Sequence, residues 1–522
     1  MKKLIILLSL VLGFGCSGKK SKKSPSPDMQ LDGEVPYIQE VKVKHIKKDP
    51  RENGEGIIIP ASIGPLQKPK VVCTAGKPGW PEETESLPKV DSVVAKGSNS
   101  LKVLKKARVY AKPDAKSDLV GVIKQYSRLP LQGYKPAGNG CKKYWMNLGK
   151  DRWICGENLQ GDKRSTLLLP QPILPKGRIV PHKYGRVRRA NASYFANLKS
   201  MEENKPAGSF HRGDMVQLTT FKSKGGKGYW ITGKNYLAWD DDISGYKVPP
   251  YHGIDLRKED INLPAAIIRA KAKGAVIFEY PGGPEKKGVK PIPHYASRAI
   301  YDRKKVGKAV YYRIKEGWIL ARRVLSAWPA DPPPGLKPCE KWIDINVSMQ
   351  TLVAYEGREP VYVAPISTGK KKYPTKYGIF RIWAMKANSD MNSSMGASER
   401  YRVDDVPWAM FFYLGQAMHA AYWHTEFGNR KSHGCVNLTP VDAKWIYDWT
   451  DPHMPDGWLE IYVDEKSPVP GTLVVVRHKV DHEVPFVRYA RKLAPPEDVK
   501  RLDEAKKKYL QGLTKKMYKE KN

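Results

Sequence analysis

Between residues 144 and 319, one arrangement of aromatic and apolar positions occurs three times. Each copy contains a stretch that is predicted to be a strand and opens with an aromatic pair, at Tyr144-Trp145, Tyr229-Trp230 and Tyr311-Tyr312. A glycine-containing turn follows in each copy, and then a second predicted strand that begins with another aromatic residue. The repetition predicts three β hairpins in this part of the chain.

Helical periodicity is confined to two short regions. Thr439 and Pro440 are typical of a helix start, as the N-cap and the first helical residue. Apolar residues then recur every four positions from Val441 to Trp449, which predicts a helix that packs on a core. Over 496–514, acidic residues precede basic ones by four positions, which predicts a solvated helix. The rest of the pattern favours a mainly β chain, and its 522 residues indicate several domains.

The first residues are patterned like an export signal. Lys2 and Lys3 precede an apolar run over 4–14, which is too short to span a membrane and is placed like a signal peptide. The run leads to Cys16, so residues 1–16 are predicted to be a signal peptide with a candidate lipobox that ends in a lipid-modified cysteine. Plain cleavage and secretion is the alternative, because a glycine stands three residues before the cysteine, where a lipobox usually has leucine.

A tether is predicted to follow over 17–99, where lysine, proline and glycine are frequent and hydrophobic periodicity is slight. Ser17, rather than an acidic residue, follows Cys16, which favours the outer membrane by the sorting habit of Gram-negative lipoproteins. We therefore expect the chain on the periplasmic side of the cell envelope, bound to the outer membrane through its lipid.

The remaining cysteines fit an exported protein. Cys141 and Cys155 flank the first predicted hairpin and are the expected disulfide pair. Elimination then pairs Cys73 with Cys339. The alternative is that these four residues are free, buried thiols.

The candidate chemistry lies in one short run. Residues 432–437 read Ser-His-Gly-Cys-Val-Asn, and His419 precedes them. Cysteine reacts as its thiolate, and a nearby imidazole can take the thiol proton and later return it to a leaving amine. Gly434 offers an unshielded backbone N–H for the oxyanion of a tetrahedral intermediate. The run therefore predicts a nucleophile loop, with Cys435 between a strand and the helix at Thr439.

Two other interpretations of these residues are open. His419, His424, His433 and Cys435 are potential zinc ligands, although the paired short spacings of structural zinc motifs are absent. An isolated cysteine can also be buried and inert. We predict no metal and no cofactor.

Six segments in the same order resemble the L,D-transpeptidase (YkuD) family of bacterial cell-wall enzymes over about 340–465. The segments are 342–346, 350–357, 361–369, 378–382, 407–412 and 417–424, which lead into the cysteine loop. Two departures are visible. Pro374-Thr375 stands where many members have Thr-Pro, and Ala420 follows His419 where glycine or serine is more usual.

The resemblance implies a role for each residue of the loop. Cys435 would be the nucleophile and His419 the base and acid, with the Ala420 carbonyl orienting the other ring nitrogen of His419. His433 would help to hold the loop, and the amides of Gly434 and Cys435 would receive the oxyanion. Three further predicted positions lie on the substrate side: Ser432, His424 and Asn437. Of these, Ser432 and His424 are expected to order the loop rather than to react.

The reaction implied by the resemblance is attack on a tetrapeptide stem of peptidoglycan, at the bond between the diamino acid in position 3 and the terminal D-Ala. A thioester forms, and the amine of a second stem resolves it to a 3→3 crosslink. Water as the acceptor would make the enzyme a carboxypeptidase. A catalytically lapsed, wall-binding scaffold is the alternative from another class. The expected partners are peptidoglycan stem peptides, and the oligomeric state is unknown.

The predicted fold is mainly β and multidomain. It has an SH3-like module at 100–160, a β-rich region with two further SH3-like hairpins at 161–335, a β-sandwich-like catalytic domain with a helix after the cysteine loop at 336–466, and a basic, partly helical extension at 467–522. The prolines around 332–335 mark the boundary before the catalytic domain. The SH3-like modules would hold glycan or stem peptide near Cys435, or serve as spacers or as a lid.

The formal net charge of +38 is large for this length. Nucleic acid is not an expected partner, because basic residues are spread over every segment without a recognisable reading module. An exported basic protein would instead be attracted to stem carboxylates, wall polymers and lipid headgroups. The alternative is that the charge serves solubility.

Overall fold

The computed structural model describes residues 87–270, 273–393, 400–478 and 484–519. The predicted signal peptide, Cys16, Cys73 and most of the predicted tether lie outside these residues. Within them, none of the helices combines the length and the apolar character needed to cross a bilayer.

The first module comprises residues 87–162. It begins with a 3-10 helix, Val90–Val93, and contains eight strands: β1 (Ser100–Val103), β2 (Ala107–Tyr110), β3 (Leu119–Ile123), β4 (Arg128–Leu129), β5 (Tyr134–Gly138), β6 (Cys141–Asn147), β7 (Trp153–Cys155) and β8 (Leu159–Asp162). A disulfide joins Cys141 to Cys155 across the β6–β7 hairpin. Cys339 is also disulfide-bonded, and Cys73, its partner by elimination, lies outside the described residues.

The second module comprises residues 183–245, and β16 (Ile254–Asp255) follows it. Its elements are β9 (Lys183–Val187), β10 (Ala192–Phe195), α1 (Leu198–Glu202), β11 (Gly208–Phe210), β12 (Met215–Lys224), β13 (Lys227–Thr232), β14 (Leu237–Trp239) and β15 (Ile243–Gly245). The third module comprises residues 265–327. Its strands are β17 (Ala265–Ile268), β18 (Ser297–Ala299), β19 (Asp302–Val306), β20 (Ala309–Ile314), β21 (Gly317–Leu320) and β22 (Val324–Ala327).

The three aromatic hairpins predicted from the sequence are confirmed as the antiparallel pairs β6–β7, β13–β14 and β20–β21. Aromatic residues of these hairpins are buried in their modules, among them Trp145, Tyr229 and Tyr312. Each hairpin leads into a one-turn 3-10 helix, at Gly156–Asn158, Asp240–Asp242 and Ala321–Arg323, and then into a further strand. The modules therefore share a repeated unit that is longer than the predicted hairpin. Their SH3-like character stays a prediction.

The remaining elements form the C-terminal sandwich and the helices after it. They are β23 (Lys341–Asn346), β24 (Thr351–Glu356), β25 (Glu359–Ser367), β26 (Gly378–Arg381), β27 (Ala384–Asn392), β28 (Arg402–Tyr413), β29 (Gln416–Ala420), β30 (Val436–Leu438), α2 (Pro440–Trp449), β31 (Trp458–Tyr462), β32 (Leu473–Arg477), α3 (Tyr489–Leu493) and α4 (Pro496–Lys519). The predicted mainly β fold is thus confirmed.

Two sheets build the sandwich and share the long strand β25. The first has the order β16–β25–β24–β23–β32–β26. The second has the order β25–β30–β29–β28–β27–β31. Apolar residues from both sheets and from α2 fill the core between them, including Ile345, Phe380, Met410 and Ile446. The helix predicted after the cysteine loop is α2, with the Thr439 side chain accepting from the Asp442 amide as its N-cap.

The first sheet is covered on its outer face as well. Trp342, Val353 and Val475 pack there against the third module and against the C-terminal segment that holds Phe486 and Leu502. Strands buried on both faces have near-continuous apolar sequences, and β32 reads Leu-Val-Val-Val-Arg.

Two predicted boundaries differ from the structure. The sandwich continues past residue 466, because β32 lies between β23 and β26 in its first sheet. The apolar run of β32 was the signal for this in the sequence. The predicted tether ends before residue 99, because Lys89 forms a β-bridge with Gly133 and Val90 is fully buried in the core of the first module.

The first two modules and β16 extend the sheets of the sandwich. β3 of the first module pairs antiparallel with β31, and β12 of the second pairs parallel with β28 at Met215 and Val403. β16, between the second and third modules, pairs antiparallel with β25. These two modules therefore pack directly on the C-terminal sandwich, and the uses predicted for the modules stay predictions.

Candidate active site

Strand pairing brings the segments that carry His419 and Cys435 next to each other in one sheet. β29 and β30 are parallel, with Met418 opposite Val436 and His419 opposite Asn437. Met418 and Val436 belong to the sandwich core. Since successive side chains of a strand alternate between faces, His419 and Asn437 face away from that core. Cys435 lies one position before β30, in the bend that leads into this strand, and therefore next to β29, the strand that carries His419.

The surroundings of His419 favour a neutral imidazole that can act as a base. Its side chain is almost fully buried, and its Nδ1 lies 3.3 Å from the Ala420 carbonyl oxygen. A proton on Nδ1 can be donated to that carbonyl, which leaves Nε2 unprotonated. Burial lowers the pKa of His419 to about 4. The Trp423 ring stacks on the imidazole, with centroids 5.7 Å apart.

Cys435 is half-buried, and among the described residues it is the cysteine that is not in a disulfide. Its Sγ lies 3.7 Å from the Gly415 carbonyl oxygen. Burial raises the pKa of the Cys435 thiol to about 11. Near pH 7 the resting pair is therefore a neutral thiol and a neutral imidazole. This arrangement favours proton transfer during attack over a preformed thiolate–imidazolium pair.

Ser432 stabilises the turn that contains Cys435 through two hydrogen bonds. Its Oγ donates to the Cys435 carbonyl oxygen at 2.6 Å and accepts from the Gly434 amide at 3.1 Å. Gly434 has φ +117°, and a Cβ at this position would lie 2.6 Å from Gln416 Nε2. Glycine is therefore the residue that fits the turn. The Gly434 amide, expected to receive an oxyanion, is bonded to Ser432 here and would have to exchange that partner for a substrate oxygen.

His433 lies between two tyrosines that the sequence analysis did not identify. Its ring centroid is 4.6 Å from that of Tyr373 and 4.8 Å from that of Tyr401, which stacks on it with planes 25° apart. These contacts fix the side chain that precedes Gly434, as expected for a residue that holds the loop. Single tyrosines in loops carry no motif, so the sequence offered no signal for either one.

His424 and Asn437 form a second pair beside the first. His424 Nδ1 accepts from the Glu426 amide at 3.2 Å, and its Nε2 lies 2.9 Å from Asn437 Nδ2, an atom whose place in the carboxamide can be exchanged with that of Oδ1 by a flip of the group. Because Nδ1 is an acceptor, Nε2 carries the proton of the neutral ring, and the carboxamide oxygen is the group that suits it. Burial lowers the pKa of His424 to about 4. Both nitrogens are thus used within the protein, in keeping with a framework role.

The third module holds the loop between His424 and the cysteine. Tyr295 Oη donates to the carbonyl oxygens of Thr425 and Phe427 at 2.9 and 3.1 Å. Arg269 Nη1 donates to the Gly428 carbonyl oxygen at 2.9 Å. The sequence analysis did not identify Arg269 or Tyr295, because no local sequence pattern relates these positions to a loop near residue 427.

Side chains of the kinds that bind metal ions also lie close together outside this site. In the part of the chain that the structure describes, the group of His, Cys, Asp and Glu residues close enough to share an ion is Cys141, Cys155 and Glu157. The two sulfurs of that group are already bonded to each other.

An unpaired thiol and a buried imidazole on neighbouring strands are the groups that enzymes with a cysteine nucleophile use. The family is given by comparison with known proteins. Residues 340–476 match the YkuD family model, described as the L,D-transpeptidase catalytic domain. This match extends into β32 and so passes the predicted boundary at residue 466.

Part of the chain is also similar to curated L,D-transpeptidases. L,D-transpeptidase 2 of Mycobacterium tuberculosis (strain CDC 1551 / Oshkosh) is 32% identical over 136 residues, which are 24% of this chain and 31% of that protein. L,D-transpeptidase 1 of Mycobacterium tuberculosis (strain ATCC 25618 / H37Rv) is 26% identical over 110 residues, which are 20% of this chain and 44% of that protein. The chain thus spans less than half the length of these relatives. A solved L,D-transpeptidase from Mycobacterium smegmatis matches 41% of this chain and 99% of its own at 19% identity, with a TM-score of 0.22.

Proposed function

We propose that the protein is a peptidoglycan L,D-transpeptidase that acts through Cys435 and His419. One observation carries the proposal: within the matched domain, a free thiol stands one residue before β30, and the parallel neighbouring strand β29 holds a buried histidine whose Nδ1 faces a carbonyl oxygen. The substrate is a tetrapeptide stem, cleaved between the diamino acid in position 3 and the terminal D-Ala.

The first half-reaction forms a thioester. Cys435 Sγ attacks the carbonyl carbon of the diamino acid while His419 Nε2 takes the thiol proton. The imidazolium keeps its Nδ1–H on the Ala420 carbonyl oxygen, 3.3 Å away. As the C–N bond breaks, His419 returns the proton to the amine of D-Ala, which leaves. The neutral resting pair means that this proton moves only when the substrate is in place.

The second half-reaction transfers the acyl group. The side-chain amine of a second stem attacks the thioester carbonyl, and His419 takes a proton from that amine. The C–S bond breaks, Sγ receives the proton, and an amide between two diamino acids remains as a 3→3 crosslink. With water as the acceptor, the same steps would release a tripeptide.

We also propose the location of this activity. A signal peptide with Cys16 as its lipid-modified residue would place the enzyme on the periplasmic side of the cell envelope, bound to the outer membrane. Metabolic labelling with an alkyne fatty acid tests this, because label on the wild type that is absent from Cys16→Ala is the expected result. Equal label on both proteins would contradict it.

Intact-protein mass after exposure to a carbapenem tests the nucleophile, because a β-lactam offers a strained acyl donor to the thiol. The wild type should gain the mass of one carbapenem and Cys435→Ala should gain none. Asp448→Asn, which changes an exposed carboxylate of α2, is the matched control and should be acylated like the wild type. A folded wild type with reduced Cys435 and no adduct would contradict the proposed nucleophile.

Tetrapeptide muropeptides then identify the acceptor. Purified wild type should convert them into crosslinked dimers with release of D-Ala, as read by mass spectrometry, and Cys435→Ala should not. Tripeptide without dimer would replace the transferase proposal by the hydrolytic one. Neither product, together with a normal carbapenem adduct, would contradict the stem-peptide substrate while leaving the nucleophile in place.

A further inference from the structure

Three arginines surround a cavity of about 550 Å³ in the second module. The cavity is lined by Arg186, Val187, Arg188, Arg212 and Gly213. Arg186 lies on β9 and Arg188 is the first residue after its end, on either side of buried Val187. Arg212 approaches from the turn before β12. No carboxylate is among the lining residues.

The backbone under these arginines is fixed. β9 lies between β12 and β15, with Arg186 opposite Met215 on one side and Ser244 on the other. The amide of Gly213 donates to the Val187 carbonyl oxygen, and the Val187 amide donates to the Asp214 carbonyl oxygen, each at 2.9 Å. The arginine side chains therefore project from a strand and a turn whose backbones are held by hydrogen bonds.

None of the three arginines forms an ion pair with a carboxylate in the part of the chain that the structure describes. Arg186 donates to the Trp423 carbonyl oxygen at 3.1 Å and Arg188 to the Asp240 carbonyl oxygen at 3.3 Å, and neither they nor Arg212 form an ion pair there. The nearby carboxylates have other partners. They are Asp214, bonded to the His211 amide, Asp240, bonded to Trp230 Nε1, and Asp242, paired with Arg189.

Trp423 contacts both a residue of this cavity and a residue of the candidate active site. Arg186 contacts the backbone of Trp423, and the Trp423 ring stacks on His419. The cavity therefore adjoins the segment that flanks the candidate active site, and a peptide bound at that site would approach the arginines along this segment.

We propose that the cavity at Arg186, Arg188 and Arg212 is a subsite for a carboxylate of the stem peptide. The proposal rests on the proposed function for the identity of the peptide. Guanidinium groups bind carboxylates through paired, charge-assisted hydrogen bonds. The second module would then select stems that carry a free carboxylate over those in which it is a carboxamide. Arg186 would add a link between the bound carboxylate and Trp423.

Binding to the full chain with Cys435→Ala tests the subsite without turnover. Fluorescence anisotropy measures the affinity of a labelled tetrapeptide stem and of the same stem with its carboxylates converted to carboxamides. The protein arms are this parent, the parent with Arg188→Gln and Arg212→Gln, and the parent with Arg322→Gln and Arg323→Gln. The last pair is exposed in the third module and removes the same charge elsewhere. Arg186 is kept because it also holds Trp423.

Amidation of the stem should weaken binding to the parent about fivefold, the order expected for a partly exposed charge-assisted pair. It should weaken binding to the Arg188/Arg212 variant less than twofold, and binding to the Arg322/Arg323 variant as much as to the parent. An equal loss in the parent and the Arg188/Arg212 variant would overturn the subsite, as would a stem that does not bind the parent at all. Competition by inorganic phosphate, without any effect of amidation, would replace the carboxylate by a phosphate ligand.

These outcomes are independent of the chemistry at Cys435. If amidation of the stem weakens binding only when Arg188 and Arg212 are present, but the wild type forms no crosslinks, the subsite proposal stands and the proposed reaction does not. Crosslinking by the wild type with no coupling between amidation and the arginines would do the reverse.

Discussion

The rings of Tyr184 and Tyr422 lie face to face, with centroids 3.6 Å apart and planes 17° from parallel. Tyr184 belongs to the second module, and Tyr422 is the neighbour of Trp423, the residue that stacks on His419. Their hydroxyls donate to consecutive carbonyl oxygens of β28, those of Asp405 and Asp404. The second module thus supports the segment that flanks the predicted catalytic base.

Replacing Tyr184 by alanine is expected to slow the acylation of Cys435. Loss of a buried aromatic ring leaves a cavity and typically costs about 3–5 kcal/mol, here next to the residues that position His419. We expect a roughly tenfold lower rate of carbapenem adduct formation, with the mass spectrum of the protein otherwise unchanged, since about 1.4 kcal/mol of the loss would suffice.

Tyr184→Phe is the matched control. It keeps the stacked ring and removes only the hydrogen bond to Asp405, so its acylation rate should stay within about twofold of the wild type. Equal slowing by the two substitutions would assign the effect to the hydrogen bond rather than to the stack. An alanine variant that is folded and acylated at the wild-type rate would contradict the coupling.

The pH dependence of acylation should reflect the burial of His419. The pKa of an ordinary histidine lies near 6.5, whereas burial lowers that of His419 to about 4. Because the neutral ring is the base, the rate should hold steady from pH 8 to about pH 5 and should fall only as the pH drops through about 4. The measurement is the rate of carbapenem adduct formation across this range, with circular dichroism as the check on folding.

The Cys435 thiol has a high pKa of about 11. This value leads to a second prediction on pH dependence, for the thiol alone. In His419→Gln, alkylation by iodoacetamide should rise tenfold per pH unit up to the highest pH at which the protein stays folded, since only free thiolate reacts. An acid limb near pH 6.5 in the wild type, or a plateau of alkylation by pH 8 in the variant, would point to a preformed thiolate–imidazolium pair instead.

Local signals predicted much of the sandwich and its candidate site. The N-cap at Thr439 and the apolar repeat that follows it gave α2, and the aromatic pairs gave the three hairpins. The spacing of His419 and Cys435 suggested a pair, which stays a prediction, and the strand that holds His419 runs parallel to the strand that Cys435 precedes. Each of these signals lies within a short stretch of sequence, where propensity and periodicity act.

Long-range pairing was beyond the same reasoning. Gly121 lies opposite Ile461 where the first module joins the sandwich, and Met215 lies opposite Val403 where the second does. Such partners are chosen by complementary surfaces, which leave no periodic pattern in either segment. The strand that contains Val475 does have a recognisable pattern, an apolar run that is buried on both faces. That pattern still does not reveal which strands flank it.

Tyr295→Phe should loosen the loop between His424 and the cysteine. The substitution removes a hydroxyl that donates to the carbonyl oxygens of Thr425 and Phe427, and it keeps the ring that stacks on His294. Hydrogen exchange read by mass spectrometry should become about tenfold faster in a peptide that covers residues 424–429, since two bonds to one hydroxyl are worth about 1–2 kcal/mol.

Tyr251→Phe serves as the comparison, because this ring also packs on Tyr295 but its hydroxyl makes no hydrogen bond within the described residues. Its exchange over 424–429 should match the wild type. Unchanged exchange in Tyr295→Phe would mean that Arg269, which bonds the Gly428 carbonyl oxygen, is sufficient to hold the loop.

Asp442 should make the protein less stable as the pH rises from about 4 to 6. The carboxyl is fully buried, and its Oδ1 accepts from the Gly253 amide at 2.7 Å and from the Tyr362 hydroxyl at 2.8 Å. Its Oδ2 has no hydrogen-bond partner among the described residues. Burial raises the pKa of Asp442 to about 6, so in this window the folded state binds more protons than the unfolded state. The free energy of unfolding therefore falls as the proton is lost.

Asp442→Asn removes the titration and isolates this effect. The thermal midpoint of the variant minus that of the wild type should increase between pH 4 and 6 and then stay level, because asparagine carries no charge at any pH. The change corresponds to as much as about 3 kcal/mol, from roughly two pKa units at 1.36 kcal/mol each. A buried amide group without an acceptor shifts the whole difference curve downward by a constant amount and leaves its shape unchanged. A difference that is flat from pH 4 to 8 would show that Asp442 titrates alike in the folded and unfolded chains, and its bonds to Gly253 and Tyr362 would then outweigh its burial.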